Sequence, residues 1–155
     1  MNRRFSLASL LLSAVLIANT FALSMPLPAA EGRRLVLVTS DPSAPSLSPQ
    51  EVRKLYLGAN ITRDGRTLVP LCNHTDAMAY EVFMQKVMYM SGPAYERALM
   101  TRFMRTTTAV RPPEYSNEKD LVRALGNTPN AVTYMWSDKA EVTGLKVVAE
   151  LWHDP

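Results

Sequence analysis

Cysteine and histidine are scarce in this chain of 155 residues. Cys72 is its one cysteine, so no internal disulfide can form. The two histidines, His74 and His153, stand far apart, and no grouping of His, Cys and carboxylate residues has the spacing of a metal site. Phosphate-binding P-loops, dinucleotide fingerprints and nucleophile-elbow motifs are also missing. We therefore expect a protein that is not an enzyme, with no catalytic residue, no metal and no cofactor.

Excess charge is the second thing that the chain lacks. Its formal net charge is +3, and residues 1–24 carry two of its positive charges, Arg3 and Arg4, so that removal of this segment would leave +1. A domain this close to neutrality lacks the electrostatic footprint of a nucleic-acid-binding protein. We expect no nucleic-acid partner.

The N-terminus has the layout of a secretory signal. Arg3 and Arg4 precede an apolar run, and small residues follow it at Ala22 and Ser24. Cleavage after Ser24 is predicted, with Ala30 as a later alternative; residues 25–34 then form a linker and residues 35–152 one domain. A retained anchor helix is the competing interpretation, although the run is short for a membrane span. No later segment is apolar enough to span, so export to the periplasm is the expectation.

The stretch Ser48–Gly58, SPQEVRKLYLG, predicts a helix with both ends marked. Ser48 suits the N-cap, Pro49 the first helical position, and Glu51 can complete a capping box. Val52, Leu55 and Tyr56 fall on one face, and Gly58 can end the helix in the left-handed conformation.

The remaining elements follow from hydrophobic periodicity and turn residues. LVLVT at 35–39 predicts a strand of a parallel sheet, and together with the helix and a strand at 67–72 it predicts a βαβ unit. The other predictions are a turn at Asp64-Gly65, helices at 77–89, 94–105 and up to Gly126, a polar link after Trp136, and strands at 131–136 and 145–151. Cys72, at the end of its strand, is predicted to be a buried, unreactive thiol, with a redox or interchain role as the alternative.

Three phrases carry a resemblance to a known family: LSPQEVRKLYLG, then DGRTLVPL after a short polar gap, and later NTPNAVTY. They resemble small periplasmic proteins related to the substrate-binding subunit of phosphate ABC transporters. The last phrase is similar to the family's x-T-P-G-A-I-G-Y, with Asn130 and Thr133 in place of its two glycines. Asn tolerates a positive φ, so the turn at Asn130 can survive, whereas Thr133 would forbid a close backbone approach. The resemblance implies an α/β fold: a single lobe of the type 2 periplasmic-binding-protein kind, with a mixed sheet flanked by helices.

The resemblance also implies where a ligand would bind. In phosphate-binding relatives an Arg and a Ser-Gly-Thr run at a helix N-terminus contact the oxoanion. Those positions correspond here to Asn73 and to Ala77-Met78-Ala79, so the charge, the hydroxyls and the glycine are all missing. The candidate ligand-binding residues that remain are Asn73, His74, Thr75, Asp76 and Tyr80. If Asp76 caps the helix, its carboxylate repels an anion; if Thr75 caps it, a cationic His74 leaves a weak oxoanion site.

Two function hypotheses follow. The first is an exported, non-enzymatic binding protein in which phosphate recognition is weak or lost. The second is a periplasmic interaction or sensory accessory module that engages a membrane transporter or sensor. Receptors of the family close two lobes over the ligand, whereas a chain of this length matches one lobe, so burying a ligand would need a partner or a dimer.

Two residue groups have structural and functional interpretations. Core filling is predicted for the methionines of the second and third helices, with a metal-binding methionine cluster as the alternative. A solvated face is predicted for the arginines around the third helix, with a surface for an acidic partner as the alternative. These residues are Met78, Met84, Met88, Met90, Met100 and Met104, and Arg97, Arg102, Arg105 and Arg111.

Overall fold

A computed structural model describes residues 32–154 of the chain. The predicted signal segment, its cleavage sites and most of the predicted linker lie outside the described residues. Of the linker, residues 32–34 are described, and Arg34 already belongs to the first strand. Within residues 32–154 no helix is long and apolar enough to cross a membrane.

The described chain contains helices and strands, and several of the strands are only two residues long. In order they are β1 (Arg34–Thr39), α1 (Pro49–Tyr56), β2 (Thr62–Arg63), β3 (Arg66–Thr67), β4 (Val69–Pro70), β5 (Cys72–Asn73), α2 (Ala77–Val82), α3 (Gly92–Arg105), β6 (Glu114–Tyr115), α4 (Glu118–Asn127), β7 (Ala131–Trp136), α5 (Ser137–Thr143) and β8 (Lys146–His153). Between α2 and α3 the helix continues as a π-helix over Phe83–Met88.

The central sheet has four strands in the order β4-β7-β1-β8. β1 is antiparallel to both β7 and β8, whereas β4 is parallel to β7. The predicted mixed sheet is therefore confirmed, but the predicted βαβ unit is wrong, since β7 lies between β1 and β4 and those two strands run in opposite directions. A continuous apolar run such as that of β1 indicates that both faces of the strand are buried. An antiparallel strand in the centre of a sheet is buried in the same way, so the run does not indicate the strand direction.

Each face of the sheet carries its own core. Leu35 and Leu37 of β1 pack into the larger core with side chains from α1, α2, the π-helix and α3. Val36 and Val38 point to the other face and pack against α4 and α5. This alternation follows from the two-residue period of a strand, and it places helices on both sides of the sheet.

The helix predicted around Ser48 is confirmed. Ser48 accepts the Glu51 N–H, and the Glu51 carboxylate accepts the Ser48 N–H, which completes the capping box. Val52, Leu55 and Tyr56 are buried. The buried Tyr56 hydroxyl donates to the carbonyl oxygen of Leu71 at 3.0 Å, which ties α1 to the sheet. Gly58 has φ +80°, the left-handed conformation expected of it.

The segment 67–72 differs from its prediction. Instead of one strand it contributes to three separate pairings, through β3, β4 and β5. The N–H groups of Val69 and Leu71 donate to the carbonyl oxygens of Asn130, just before β7, and of Val132 within it. That of Cys72 donates to Pro113 in another segment. Pro70 has no N–H to extend a ladder on the far side, so the strand stays short.

The segment after Trp136 is predicted to be a polar link, but it forms the helix α5. Its C-terminus is marked by Gly144, which has φ +66°. The helix has only seven residues and one buried side chain, Ala140, so its apolar periodicity was too short to recognise.

The predicted methionine packing is correct for Met84 and Met88, which are buried. It is wrong for Met78, Met100 and Met104, each of which is more than half exposed. The three exposed methionines lie on the outer faces of α2 and α3. The pattern of apolar residues alone did not distinguish them from the buried methionines.

Candidate functional site

The segment between β5 and α2 is where the family resemblance predicts a ligand. Asn73 begins it but is buried in the protein rather than open to solvent. Its Nδ2 donates to the carbonyl oxygen of Tyr134 at 2.9 Å. Its Oδ1 accepts the Thr75 N–H at 2.9 Å and the Thr75 hydroxyl at 2.7 Å. The polar groups of Asn73 and the Thr75 hydroxyl are therefore used within the protein.

Tyr134 of β7 supports Asn73 from the sheet. Its hydroxyl donates to the Asn73 carbonyl oxygen at 3.0 Å, so each residue donates to the other's backbone. Its ring stacks on Phe83 with centroids 3.8 Å apart and is itself fully buried. Burial raises the pKa of Tyr134 well above its ordinary value, so the hydroxyl stays a donor. These contacts of Tyr134 fix the position of Asn73 and so of the segment that begins with it.

Asp76 is the N-cap of α2. Its Oδ1 accepts the N–H groups of Met78 and Ala79, each at 3.0 Å. Its Oδ2 accepts the indole N–H of Trp136 at 3.1 Å. Partial burial opposes ionisation of this carboxyl, but the hydrogen bonds from Ala79, Trp136 and Met78 outweigh it and hold the pKa of Asp76 below its usual range. Two N–H groups at the start of α2 are therefore occupied by a carboxylate of the chain itself.

His74 and Tyr80 form the outer part of the segment. Their rings lie 4.5 Å apart between centroids, tilted by 43°. Burial raises the pKa of Tyr80, and a Cβ at Gly92 would lie 3.1 Å from its hydroxyl oxygen. Of the five predicted residues, Asn73, Thr75 and Asp76 bond to their own surroundings, whereas His74 and Tyr80 contact each other.

Two residues that the sequence did not single out complete the segment. Trp136 bonds to Asp76, and the Arg33 guanidinium lies 4.6 Å from the centroid of the Trp136 ring. Arg33 also donates to the sulfur of Met78 at 3.1 Å. Both residues lie about 40 to 60 positions from the segment in sequence. Their proximity to it depends on the arrangement of the strands in the sheet, which the sequence pattern did not reveal.

An open groove of about 900 Å³ adjoins Tyr80. It lies between the π-helix and the start of α3, and Asn73 and Thr75 do not line it. We call it the tyrosine groove, and its main lining residues are Tyr80, Glu81, Met84, Tyr89, Met90 and Pro93. No group of His, Cys, Asp and Glu able to hold a metal occurs among residues 32–154.

No protein-family model and no curated protein sequence matches the chain. Solved structures do match its fold. They include PstS from Borrelia burgdorferi (TM-score 0.53, 11% identity, 81% of this chain and 50% of that one) and an ABC-type phosphate transport receptor from Vibrio cholerae (TM-score 0.53, 11% identity, 80% and 49%). A possible phosphate binding protein from Planctomyces limnophilus is similar too (TM-score 0.51, 15% identity, 76% and 41%).

At these identities the similarity concerns the fold. It confirms the α/β fold of a periplasmic-binding-protein-like domain that the sequence phrases imply. The chain spans half or less of the length of the structures that it matches.

Proposed function

We propose that this chain is an exported, non-enzymatic binding module built on the phosphate-binding-protein fold, in which a protein carboxylate has replaced the oxoanion. The observation that carries the proposal is the position of Asp76, whose Oδ1 accepts the N–H groups of Met78 and Ala79 at the start of α2. A phosphate at the same place would meet the negative charge of Asp76 and find the Met78 and Ala79 N–H groups already bonded.

The neighbouring positions support the same conclusion. Asn73 stands where the resemblance puts an arginine, and it is neutral and buried. Ala77, Met78 and Ala79 supply neither hydroxyls nor a glycine. The charge-assisted bonds that make oxoanion binding strong are therefore missing from this loop.

The non-enzymatic part rests on the nature of the structural neighbours, which are binding proteins and transport receptors, and on Cys72. Burial raises the pKa of the Cys72 thiol to about 12. A thiol in that state is a poor nucleophile at neutral pH.

The test is calorimetric titration of residues 25–155 with phosphate, with sulfate as the control anion, at low and moderate salt. We expect no binding heat from either anion. Phosphate-selective binding at micromolar or tighter affinity would overturn the proposal. Export is tested separately, by fusing residues 1–34 to a reporter that is active only outside the cytoplasm; we expect activity, and loss of it when Arg3 and Arg4 are replaced by Glu.

A second candidate is an interaction or sensory accessory module that acts through a protein partner. It is favoured by the inward orientation of the donors of Asn73 and Thr75, together with apolar side chains exposed nearby. A solute-binding site needs polar groups that converge on a cavity, whereas a protein-binding surface needs exposed apolar side chains. Both candidates share the loss of the phosphate site.

A further inference from the structure

The tyrosine groove has a wall that is built under strain. Tyr89 ends the π-helix with φ 55° and ψ 39°, the left-handed region that a bulky side chain rarely adopts. Its side chain is nevertheless 69% exposed. π-Helical turns and unfavourable backbone conformations concentrate at functional sites, because folding alone gives no reason to keep them.

Arg53 holds the Tyr89 ring in place. The Arg53 guanidinium lies 4.4 Å from the centroid of the Tyr89 ring. The same side chain donates from Nε to the carbonyl oxygen of Val87 at 2.9 Å, within the π-helix. Tyr89 is therefore positioned before any ligand arrives, which lowers the entropy lost on binding.

The floor and the far end suit an apolar ligand. The buried Met84 and the half-buried Met90 supply flexible, polarisable side chains that adapt to a ligand's shape. At the far end the Tyr80 hydroxyl approaches Gly92 so closely that a Cβ there would lie 3.1 Å from it. The absence of a side chain at Gly92 thus leaves room for Tyr80 at this end.

Charge at the rim indicates which ligand fits. Glu81 is exposed at the groove and forms no ion pair with any described residue, whereas Glu51, Glu96 and Glu114 are all paired with arginines. No lysine or arginine lines the groove. A lone carboxylate beside an aromatic surface favours a basic group and disfavours an anion such as phosphate.

We propose that the tyrosine groove binds an extended segment of a protein partner, with one basic side chain at Glu81 and apolar side chains on Tyr89, Met84 and Met90. Tyr80 and Tyr89 are nine residues apart on one helical segment, so they are separated along it by at most about 13 Å, the length at the α-helical rise. That length accommodates about four extended residues. The proposal deepens the protein-partner candidate above, on which it rests, by naming its surface and the chemistry of its partner.

The test begins with a phage library of random octapeptides selected on residues 25–155. We expect enrichment of peptides with a Lys or Arg among apolar residues. The consensus peptide, synthesised with a fluorophore, is then titrated against the wild type and against Glu81→Lys, Tyr89→Ala and Gly92→Leu. We expect each variant to weaken binding by about tenfold or more. Circular dichroism and the unfolding midpoint identify any variant that has not folded.

Glu141→Lys is the matched control, because Glu141 is also an exposed glutamate without an ion pair among the described residues, but it lies on α5 and does not line the groove. It should bind like the wild type. The proposal is overturned if no consensus emerges, if the consensus is acidic, or if the folded groove variants and Glu141→Lys bind alike. Self-association of the wild type that Glu81→Lys abolishes would instead assign the groove to a second copy of the chain. A negative peptide result without phosphate binding leaves the proposed loss of the phosphate site intact, so the two failures are distinguishable.

Discussion

Trp136 donates its indole N–H to the Oδ2 atom of Asp76 at 3.1 Å, and this bond joins the end of β7 to the start of α2. The other carboxylate oxygen, Oδ1, accepts two backbone N–H groups of α2. Asp76 therefore has a structural function at the position where related folds would be expected to hold an anion. Its removal should destabilise the protein without creating a phosphate site.

Asp76→Ala should lower the free energy of unfolding by about 1–2 kcal/mol, the usual cost of losing an N-cap. The variant also leaves the Trp136 indole without its acceptor. Urea denaturation followed by circular dichroism measures the change. The matched control is Asp138→Ala, because Asp138 is exposed in the first turn of α5 and makes no side-chain hydrogen bond within the described chain. Equal effects of the two substitutions would contradict the capping role.

Asp76 also predicts a pH dependence with a definite sign. Its pKa in the folded protein lies below the ordinary value of 3.8, because the hydrogen bonds to the carboxylate outweigh partial burial. The stabilisation is therefore fully present above the unfolded-state pKa and is lost as the pH falls through the folded-state pKa. Compared with Asp76→Asn, which caps but does not ionise, the wild type should keep a constant stability difference above about pH 5 and lose it below about pH 4. A constant difference down to pH 3 would refute this.

Asn73→Ala tests whether this residue is structural. The substitution leaves the Tyr134 carbonyl and the Thr75 hydroxyl without a partner in or beside a buried region. Leaving such groups unsatisfied costs about 1–3 kcal/mol, so unfolding in urea should shift by that amount. Asn127→Ala, at the exposed end of α4, should stay within about 0.5 kcal/mol of the wild type. If Asn73→Ala behaved like this control, the structural role of Asn73 would be refuted.

Local signals allowed the sequence to predict much of this structure. The capping box at Ser48, the Asp64-Gly65 turn and the positive φ of Asn130 (58°) each depend on a few neighbouring residues. The same was true of Asp76 as a cap. In each case the required backbone conformation favours particular side chains, so the residue type is informative.

Features that depend on distant contacts could not be predicted in this way. The direction of β1 depends on β7 and β8, which follow it by about a hundred residues. Trp136 reaches Asp76 only because β7 lies in the sheet beside β1 and ends near α2. The π-helix is likewise invisible in a pattern of apolar residues, because a single widened turn shifts that pattern only slightly.

Thr133 occupies a position where the family phrase has a glycine. We expect that replacing it by Val or by Gly destabilises the protein, and that Gly does so more. Its side chain is fully buried and its hydroxyl donates to the Leu71 carbonyl oxygen at 2.8 Å. Thr133→Val keeps the shape but loses the bond, and since Tyr56 still donates to Leu71, we expect a loss of about 1 kcal/mol. Thr133→Gly adds a cavity and backbone freedom, so we expect roughly 2–3 kcal/mol. Chemical denaturation that ranks Gly above Val in stability would show that the site prefers a close backbone approach.

Substitutions at Tyr89 should affect stability and peptide binding differently. Holding a non-glycine residue in the left-handed region costs roughly 1–2 kcal/mol, whereas the contact of its exposed ring with the half-buried Arg53 returns about 0.5–1 kcal/mol. Asn tolerates this conformation, so Tyr89→Asn should leave the free energy of unfolding unchanged or raise it by up to about 1 kcal/mol. The same variant should lose the groove's peptide binding. Tyr89→Phe keeps both the strain and the ring, and should match the wild type in stability and in binding. A clear loss of stability in Tyr89→Asn would mean that Tyr89 is kept for packing, because a residue selected for recognition at a strained position contributes little to folding.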